Sequence, residues 1–262
     1  MLRKEAILNL LAIKRLEAIA RVLAENGSVD ATRLSELFDV TPKTIRKDLH
    51  HLETMGLLDR VHGGAVLKST GNSVFPIERR KLQNVAEKQR IGSAALAYIE
   101  EGDTIIIDGG TTTIELARLL GEKKVLAMVS DLKIAIELMD KTNVNLFVAG
   151  GHLRREGVYT LIGRDTERLF EKYQAKKLFL ATSALDLSAG LSVLNSDEAE
   201  VKKAMLSAAR EVICLVDYSK FSHIAFAPFC PLEKINVLIT DNRLPQAERE
   251  SLQGFGIKVL AV

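Results

Sequence analysis

Residues 40–65, VTPKTIRKDLHHLETMGLLDRVHGGA, collect the side chains best suited to reading a DNA duplex. Ile45, Leu49 and Leu52 fall at i, i+4 and i+7, so on a helix they share one apolar stripe. Lys43, Lys47 and His50 then lie on the opposite face, with Thr44, Arg46 and His51 beside them. Lysine and arginine meet phosphates and guanine edges, and threonine and histidine add neutral hydrogen bonds, so this face suits a major groove. Thr41 is placed to cap the helix, and Pro42 to open it where a missing N–H costs nothing. An ordinary amphipathic surface helix shows the same pattern, so its flanks must decide between the two. Thr41, Lys43, Thr44, Arg46, Lys47 and His50 are the candidate DNA contacts of the helix.

A second group sits further along. Asp108-Gly109-Gly110-Thr111-Thr112-Thr113 follows an apolar run, 104–107, and opens a helical stretch. Backbone N–H groups, three hydroxyls and the helix dipole can all face one anion there, phosphate being the obvious choice. The same residues also make a plain strand-to-helix turn with Thr111 as N-cap. The spacing is neither GxGxxG nor a P-loop, so no dinucleotide or nucleoside triphosphate is indicated, and no cofactor is called for. Ser130-Asp131, Gly150-Gly151 with Arg154, and Asp217 with Ser219-Lys220 follow later apolar runs. Singly, each is a cap or a surface ion pair. Together they describe a pocket for a small polyol phosphate.

The elements that must position these groups are legible. Residues 14–25 place Leu16, Ile19, Ala20 and Leu23 on one helical face and end at Asn26-Gly27. Residues 28–30 cross over, and Asp30 or Thr32 caps a short helix, 31–38, with Leu34, Leu37 and Phe38 inward. Residues 39–41 then turn into the reading helix, which makes a helix-turn-helix. Two short strands, 57–61 and 65–67, enclose the turn His62-Gly63-Gly64, forming a wing whose Arg60 and His62 can lie against phosphates. Residues 68–76, KSTGNSVFP, read as a polar linker and 77–99 as a helix. Strands at 104–107, 125–129, 144–149, 177–182, 211–216, 237–240 and 258–261 alternate with helices. That rhythm implies a mostly parallel sheet covered on both sides, with ligands at the carboxyl ends of the strands. The expected fold class is therefore α/β. A winged helix-turn-helix domain over 1–67, with a helical extension at 1–13, is joined by a linker at 68–76 to a larger effector-binding domain over 77–262.

Composition narrows the function classes. The 262 residues carry a formal net charge of only +2, too little for a protein that coats nucleic acid and ordinary for a sequence-specific regulator. The two cysteines, Cys214 and Cys230, lack metal-ligand spacing and read as buried reduced thiols, as in a cytoplasm; no metal is indicated. The apolar run at 6–13 lies between Arg3-Lys4 and Lys14-Arg15 and has no small-residue cleavage site. It is too short to span a bilayer, so no membrane segment is expected.

The sequences LSELFDVTPKTIRKDL and LETMGLLDRVHGGA, with Gly27 ahead of them, resemble the DNA-binding signature of the DeoR/GlpR family of bacterial sugar-responsive repressors. The family pattern is a T-I-R-R-D-L core followed by R-x-H-G-G-A; Lys47 stands here for the second arginine, keeping the charge without the planar fork. The resemblance implies DNA contacts by Thr44, Arg46 and Lys47, with Arg60 and His62 in the wing. IDGGTTT, LRR…LIG, GL…LN…EAEVKKAML and VDYSKF resemble the effector-binding half of the same family, which is similar in fold to ribose-5-phosphate isomerase. This implies Asp108, Gly110, Thr111 and Thr112 near a ligand phosphate, and Asp131, Glu198 and Lys220 around a sugar. The chain departs from the family at Ala181–Leu185, where a glycine-rich G-A-x-G-I is usual, and at Val129-Ser130, where Thr-Asn is common.

The expected effector-binding residues are thus Asp108, Gly109, Gly110, Thr111, Thr112, Thr113, Asp131, Gly151, Arg154, Glu198 and Lys220. The expected partners are a double-stranded DNA operator, a phosphorylated sugar and a second copy of the chain, as homodimer or homotetramer. The rival is a sugar-phosphate isomerase, which needs a carboxylate base beside a lysine or oxyanion donors. Asp186, Glu198 and Lys220 are the right types. However, 182–186 retains a single carboxylate where those enzymes carry an acidic loop, and a fused winged helix has no use in an isomerase. The sequence therefore reads as a regulator and not an enzyme.

Overall fold

Side-chain caps start the two helices of the helix-turn-helix. Asp30 Oδ1 accepts the backbone N–H groups of Thr32 and Arg33, both at 2.9 Å, and opens α1 (Ala31–Leu37). Thr41 Oγ1 accepts the N–H of Thr44 at 3.2 Å and opens α2 (Pro42–Thr54). The computed structural model describes residues 12, 15–16, 18–19, 22–23, 26–54, 58–67, 80, 82–154, 159–225 and 227–262. It divides into two units, Met1–Gln83 and Asn84–Val262.

In the first unit, the described residues between 12 and 26 are helical, and Gly27, at φ 73°, returns its N–H to Leu23 O as the helix ends. Ile19, Leu23, Leu34, Ile45, Leu49, Leu52 and Leu58 form the buried core. β1 (Ser28–Asp30), β2 (Leu58–Val61) and β3 (Gly64–Leu67) make an antiparallel sheet in the order β1-β3-β2. The expected hairpin is therefore three-stranded, because 28–30 pairs along β3 where a simple crossover was expected. Leu37 departs from its expected inward position and is 65% exposed. α1 ends there and Asp39 turns the chain at φ 50°, whereas Phe38, also expected inward, is half-buried against the core. The expected linker and nearly all of the N-terminal extension lie outside the described residues.

In the second unit, the uninterrupted helix expected over 77–99 is broken at Asn84, which sits at φ 53°; the observed helix is α3 (Val85–Leu96). Asparagine tolerates this left-handed conformation better than most residues. Its Nδ2 also donates to Asp217 Oδ1 at 2.7 Å, which fixes the start of the helix. β4 (Thr104–Ile107), β5 (Val125–Val129) and β6 (Val144–Val148) precede a hairpin of β7 (His152–Arg154) and β8 (Thr160–Ile162). β9 (Ala175–Leu180) follows, then β10 (Ala184–Asp186), β11 (Gly190–Val193), β12 (Ala209–Leu215), β13 (Ala227–Cys230), β14 (Val237–Thr240) and β15 (Lys258–Ala261). Seven of these form one sheet in the order β15-β14-β12-β9-β4-β5-β6, and every adjacent pair is parallel. β10, β11 and β13 form a separate antiparallel sheet.

Helices α4 (Thr113–Leu119), α5 (Leu132–Leu138), α6 (Arg164–Lys172), α7 (Ser196–Ser207) and α8 (Gln246–Gly254) complete the unit. Alternate strand residues serve different cores, as the two-residue pleat requires. Ile105, Ile107 and Phe179 pack with Ile91 and Leu116, whereas Ile106, Leu178 and Leu180 pack with Phe170 and Met205. Both faces being buried explains the unbroken apolar runs. The strand order also marks the switch point of the sheet. From β4 the chain adds β5 and β6 on one side, then β9, β12, β14 and β15 on the other. The order therefore reverses between β4 and β9, and their carboxyl ends form the switch-point crevice.

Candidate functional site

The reading helix α2 has two exposed edges. Thr41, Lys43, Arg46, Lys47, His50 and His51 are exposed and Thr44 is half-buried, as the helical spacing requires. On one edge Glu53 gathers the wing. Arg60 Nε donates to Glu53 Oε2 at 2.7 Å, and His50 Nδ1 lies 3.3 Å from the same oxygen. The Arg60 bond, and then His50, hold the Glu53 carboxyl below its usual range. Arg60 and His50, both expected DNA contacts, are therefore fastened together before any duplex arrives. His62-Gly63 forms the exposed tip, and Gly63 adopts φ 81°. Gly64 is required for a different reason: a Cβ there would stand 2.0 Å from Val29 O, where β1 passes.

On the other edge, a groove of about 800 Å³ runs between α2 and the N-terminal helical segment that holds Ala12, Arg15 and Leu16, and Thr44, Lys47 and His51 also line it. It is also lined by a forked ion pair. Arg15 Nε and Nη2 donate to Asp48 at 2.7 and 3.2 Å, and these bonds raise the Arg15 pKa. Asp48 is buried, so the pair locks the helical segment before Gly27 to the reading helix. Neither Glu53 nor the Arg15–Asp48 pair stood out in the sequence. The available signal was a carboxylate on the buried side of an amphipathic helix, since buried carboxylates require partners.

In the second unit, the switch-point crevice is built on buried charge. Asp108, at the end of β4, is 2% exposed. Its Oδ2 accepts the Ala181 N–H from the end of β9 at 2.9 Å and also accepts from Lys202 Nζ on α7. Burial pushes the Asp108 carboxyl up, with Lys202 as the main opposing influence. Lys202 also donates to Ala181 O at 3.1 Å and lies 3.6 Å from Glu198 Oε1, one helical turn away. Glu198 Oε2 in turn accepts from Arg154 Nη1 at 2.6 Å. Asp108, Lys202, Glu198 and Arg154 thus form one chain of alternating charge.

The glycines let these segments meet. A Cβ on Gly109 would stand 2.8 Å from Thr160 Oγ1 and 2.9 Å from Asp131 Oδ2, and one on Gly110 would stand 2.6 Å from the Ala181 Cβ. Asp131 caps α5, its Oδ1 accepting from Lys133 N at 2.8 Å and Ile134 N at 3.1 Å. Burial raises its pKa as well. Its Oδ2 lies 3.5 Å from the Thr160 hydroxyl, and Thr160 pairs across the hairpin with Arg154. The structure therefore brings Asp108, Gly109, Gly110, Asp131, Arg154 and Glu198 together.

Other expected residues have different surroundings. Thr111 is not the N-cap of α4. Thr112 holds that position without a side-chain cap bond, because the chain is already helical there, and Thr113 donates to Gly110 O at 3.2 Å. Gly151 serves packing: a Cβ would stand 2.1 Å from Thr166 Oγ1 on α6. Lys220 is buried in the single turn Tyr218–Lys220, which Asp217 caps through Ser219 N–H. Asp186, the carboxylate an isomerase loop would offer, accepts from Ser188 N, Ser188 Oγ and Ala189 N at 2.6–3.0 Å. Those bonds hold it below the usual range, as in a turn rather than a proton-abstracting site. Lys202 and Thr160 were missed from sequence. Lys202 interrupts the apolar stripe of Ala199, Val201, Ala204 and Met205 one turn after Glu198, and a lysine on that face was the available signal, because a buried charge requires a partner.

Cys214 and Cys230 are buried free thiols; burial pushes Cys230 up to about 12 and raises Cys214 further. Among the described residues no helix is long and apolar enough to cross a membrane.

Comparison with known proteins agrees with this architecture. Residues 15–70 match the DeoR-like helix-turn-helix domain and residues 83–242 the DeoR C terminal sensor domain. The putative aga operon transcriptional repressor of Escherichia coli O157:H7 is 36% identical over 95% of this chain and 93% of its own. The HTH-type transcriptional regulator GlpR of Haloferax volcanii is 33% identical over 96% and 98%. Among solved structures, ribose 5-phosphate isomerase A from Methanocaldococcus jannaschii is similar at 17% identity over 53% of this chain and 55% of its own, with a TM-score of 0.39, a likeness too slight to bear on function. Helix-turn-helix, wing and sensor domain, matched along nearly the whole length, place the chain in the DeoR family of transcriptional regulators.

Proposed function

We propose that this protein represses genes of carbohydrate metabolism in a bacterial cytoplasm, and that a phosphorylated sugar bound at the β4 and β9 strand ends sets its affinity for an operator. The observation that carries the reading is the convergence of Asp108, Asp131, Arg154, Glu198 and Lys202 on one switch-point crevice. Even when paired, buried charges seldom stabilise a fold more than apolar residues of similar size would, so a cluster of them at strand ends points to a ligand and not to the needs of the sheet. The name of the Escherichia coli relative, a repressor, supports the direction of control.

In this reading Lys43, Thr44, Arg46, Lys47 and His50 meet base edges and nearby phosphates, with Thr41, Arg60 and His62 on the backbone. A short reading helix makes few contacts, so a homodimer or homotetramer on repeated half-sites supplies the rest. Effector binding changes DNA affinity through a coupling of about 1–3 kcal/mol. The test has two arms. Thermal shift of the full chain with a panel of sugar phosphates examines the sensor, and fluorescence anisotropy on duplexes from upstream of its own gene examines the head. Panel members that move neither melting temperature nor DNA affinity sink the sensor assignment. Normal operator binding by Arg46→Ala sinks the helix assignment.

A further inference from the structure

We propose that Glu198 is a built-in competitor for the anionic group of the effector, occupying Arg154 until a phosphate monoester takes that arginine over. The inference rests on the phosphorylated-sugar reading of the same crevice and adds how the ligand is admitted.

Three features carry it. First, the Arg154–Glu198 contact is enclosed, with side chains 14% and 10% exposed, yet it is made through one guanidinium nitrogen only. Arg154 Nε is buried and has no hydrogen-bond partner among the described residues. A guanidinium fork is built for two-point contact with an oxyanion, and a phosphate monoester presents three oxygens able to meet it. Second, Glu198 has somewhere to go. Lys202 Nζ lies 3.6 Å from its other oxygen, one turn along the same helix, so Glu198 can release Arg154 without becoming an unpaired buried charge. Lys202 does not depend on Glu198, because Asp108 and Ala181 O already accept from it.

Third, Arg154 stands at the right place. Its cross-strand partner Thr160 reaches Asp131 and packs against Gly109, and Leu161 N–H donates to Ser130 O at 2.7 Å. Ser130 itself is fully buried, and its hydroxyl has no partner among the described residues. The hairpin that carries Arg154 is thereby laid across the end of β5, with the Arg154–Glu198 pair tying it to α7. Exchange of Glu198 for a phosphate oxygen unties the hairpin from α7, which is the local change that ligand binding makes.

The experiment titrates the full chain with inorganic phosphate and with ribose 5-phosphate by calorimetry, in wild type, Glu198→Gln, Arg154→Gln and the double variant. Competition predicts that Glu198→Gln binds the probes at least about fivefold more tightly, and that this gain vanishes in the Arg154→Gln background. A gain that persists without Arg154 is a general charge effect and overturns the proposal. Weaker binding by Glu198→Gln overturns it too, making Glu198 a ligand contact, and so does binding of neither probe by any variant. If sugar phosphates bind wild type and Glu198→Gln weakens them, the phosphorylated-sugar reading survives and this inference falls. If only inorganic phosphate binds, with the predicted cycle, the inference survives and the sugar reading loses its support.

Discussion

Replacing Lys202 with methionine removes one half of the buried Asp108–Lys202 pair while keeping an apolar stem of similar length. Asp108, 2% exposed, would retain the Ala181 N–H as its one partner for Oδ2. Removing one member of a buried ion pair costs about 3–5 kcal/mol. For a unit the size of Asn84–Val262, each kcal/mol moves the melting temperature by about 2–4 °C, so the fall should be about 6–20 °C. The pH dependence is the sharper check. Burial already lifts the Asp108 pKa above its ordinary 3.8, and loss of Lys202 lifts it further. A carboxyl with a raised folded pKa takes up a proton on folding. The stability it supports is complete below the unfolded pKa and declines as pH climbs toward the folded one. Lys202→Met should therefore fall further behind wild type at pH 8 than at pH 5. Urea denaturation read by tyrosine fluorescence isolates this unit, since the chain lacks tryptophan and its four tyrosines, Tyr98, Tyr159, Tyr173 and Tyr218, all lie within it. A deficit under about 1 kcal/mol at pH 8, or a larger one at pH 5, refutes the pairing argument.

The first unit makes its own predictions. Gly64→Ala places a methyl 2.0 Å from Val29 O, a backbone atom that cannot swing aside, and should cost more than about 2 kcal/mol. Far-UV circular dichroism should show an early transition that tyrosine fluorescence does not report, and an unchanged melt counts against the three-stranded wing. Arg15→Ala leaves buried Asp48 without its guanidinium and should destabilise by about 3 kcal/mol, whereas Arg15→Met with Asp48→Leu should recover most of that loss. Failure of the double variant to recover would mean that the pair itself is required. Glu53→Gln releases Arg60 and His50 from a common anchor and should narrow the ratio of operator to random-duplex affinity several-fold in anisotropy titrations. An unchanged ratio removes the positioning role.

Most of the architecture was legible because its signals are local. Caps at Asp30 and Thr41, glycines at turns and apolar strand runs depend on neighbours in sequence, and the seven parallel strands follow from them. The crevice was legible only in part. Asp108, Asp131, Arg154 and Glu198 sit where strand-end logic or family resemblance put them. Lys202 could not be found that way, because it projects from a helix face onto a strand end 94 residues away in sequence. The hairpin of β7 and β8 was missed for a similar reason. Each strand is three residues long, too short to show a period, and its Thr160 acts through contacts with Gly109 and Asp131. Asn84 shows the opposite failure, in which a good helical pattern across 77–99 concealed a left-handed residue that tertiary bonding to Asp217 holds in place.

Glycine has the same task in both units, and this changes the meaning of the departure at Ala181–Leu185. Gly64 gives way to Val29, and Gly109 to Thr160 and Asp131, so these motifs record close approach between distant segments. Gly110 and Ala181 make the same kind of contact, with room for one methyl between them, and here the methyl stands on residue 181. A glycine in its place would leave that wall bare. The rest of the loop is closed as well: the Thr182 hydroxyl lies 2.8 Å from Ala184 O and 3.0 Å from Ser192 O, which ties the loop to β11. The single hydroxyl proton is therefore used within the protein. The crevice consequently has a firmer, more apolar wall beside Asp108 than a glycine-rich loop would build. In the proposed sensor reading, polar contacts to the effector therefore fall to Arg154, Ser130 and Asp131 rather than to this loop.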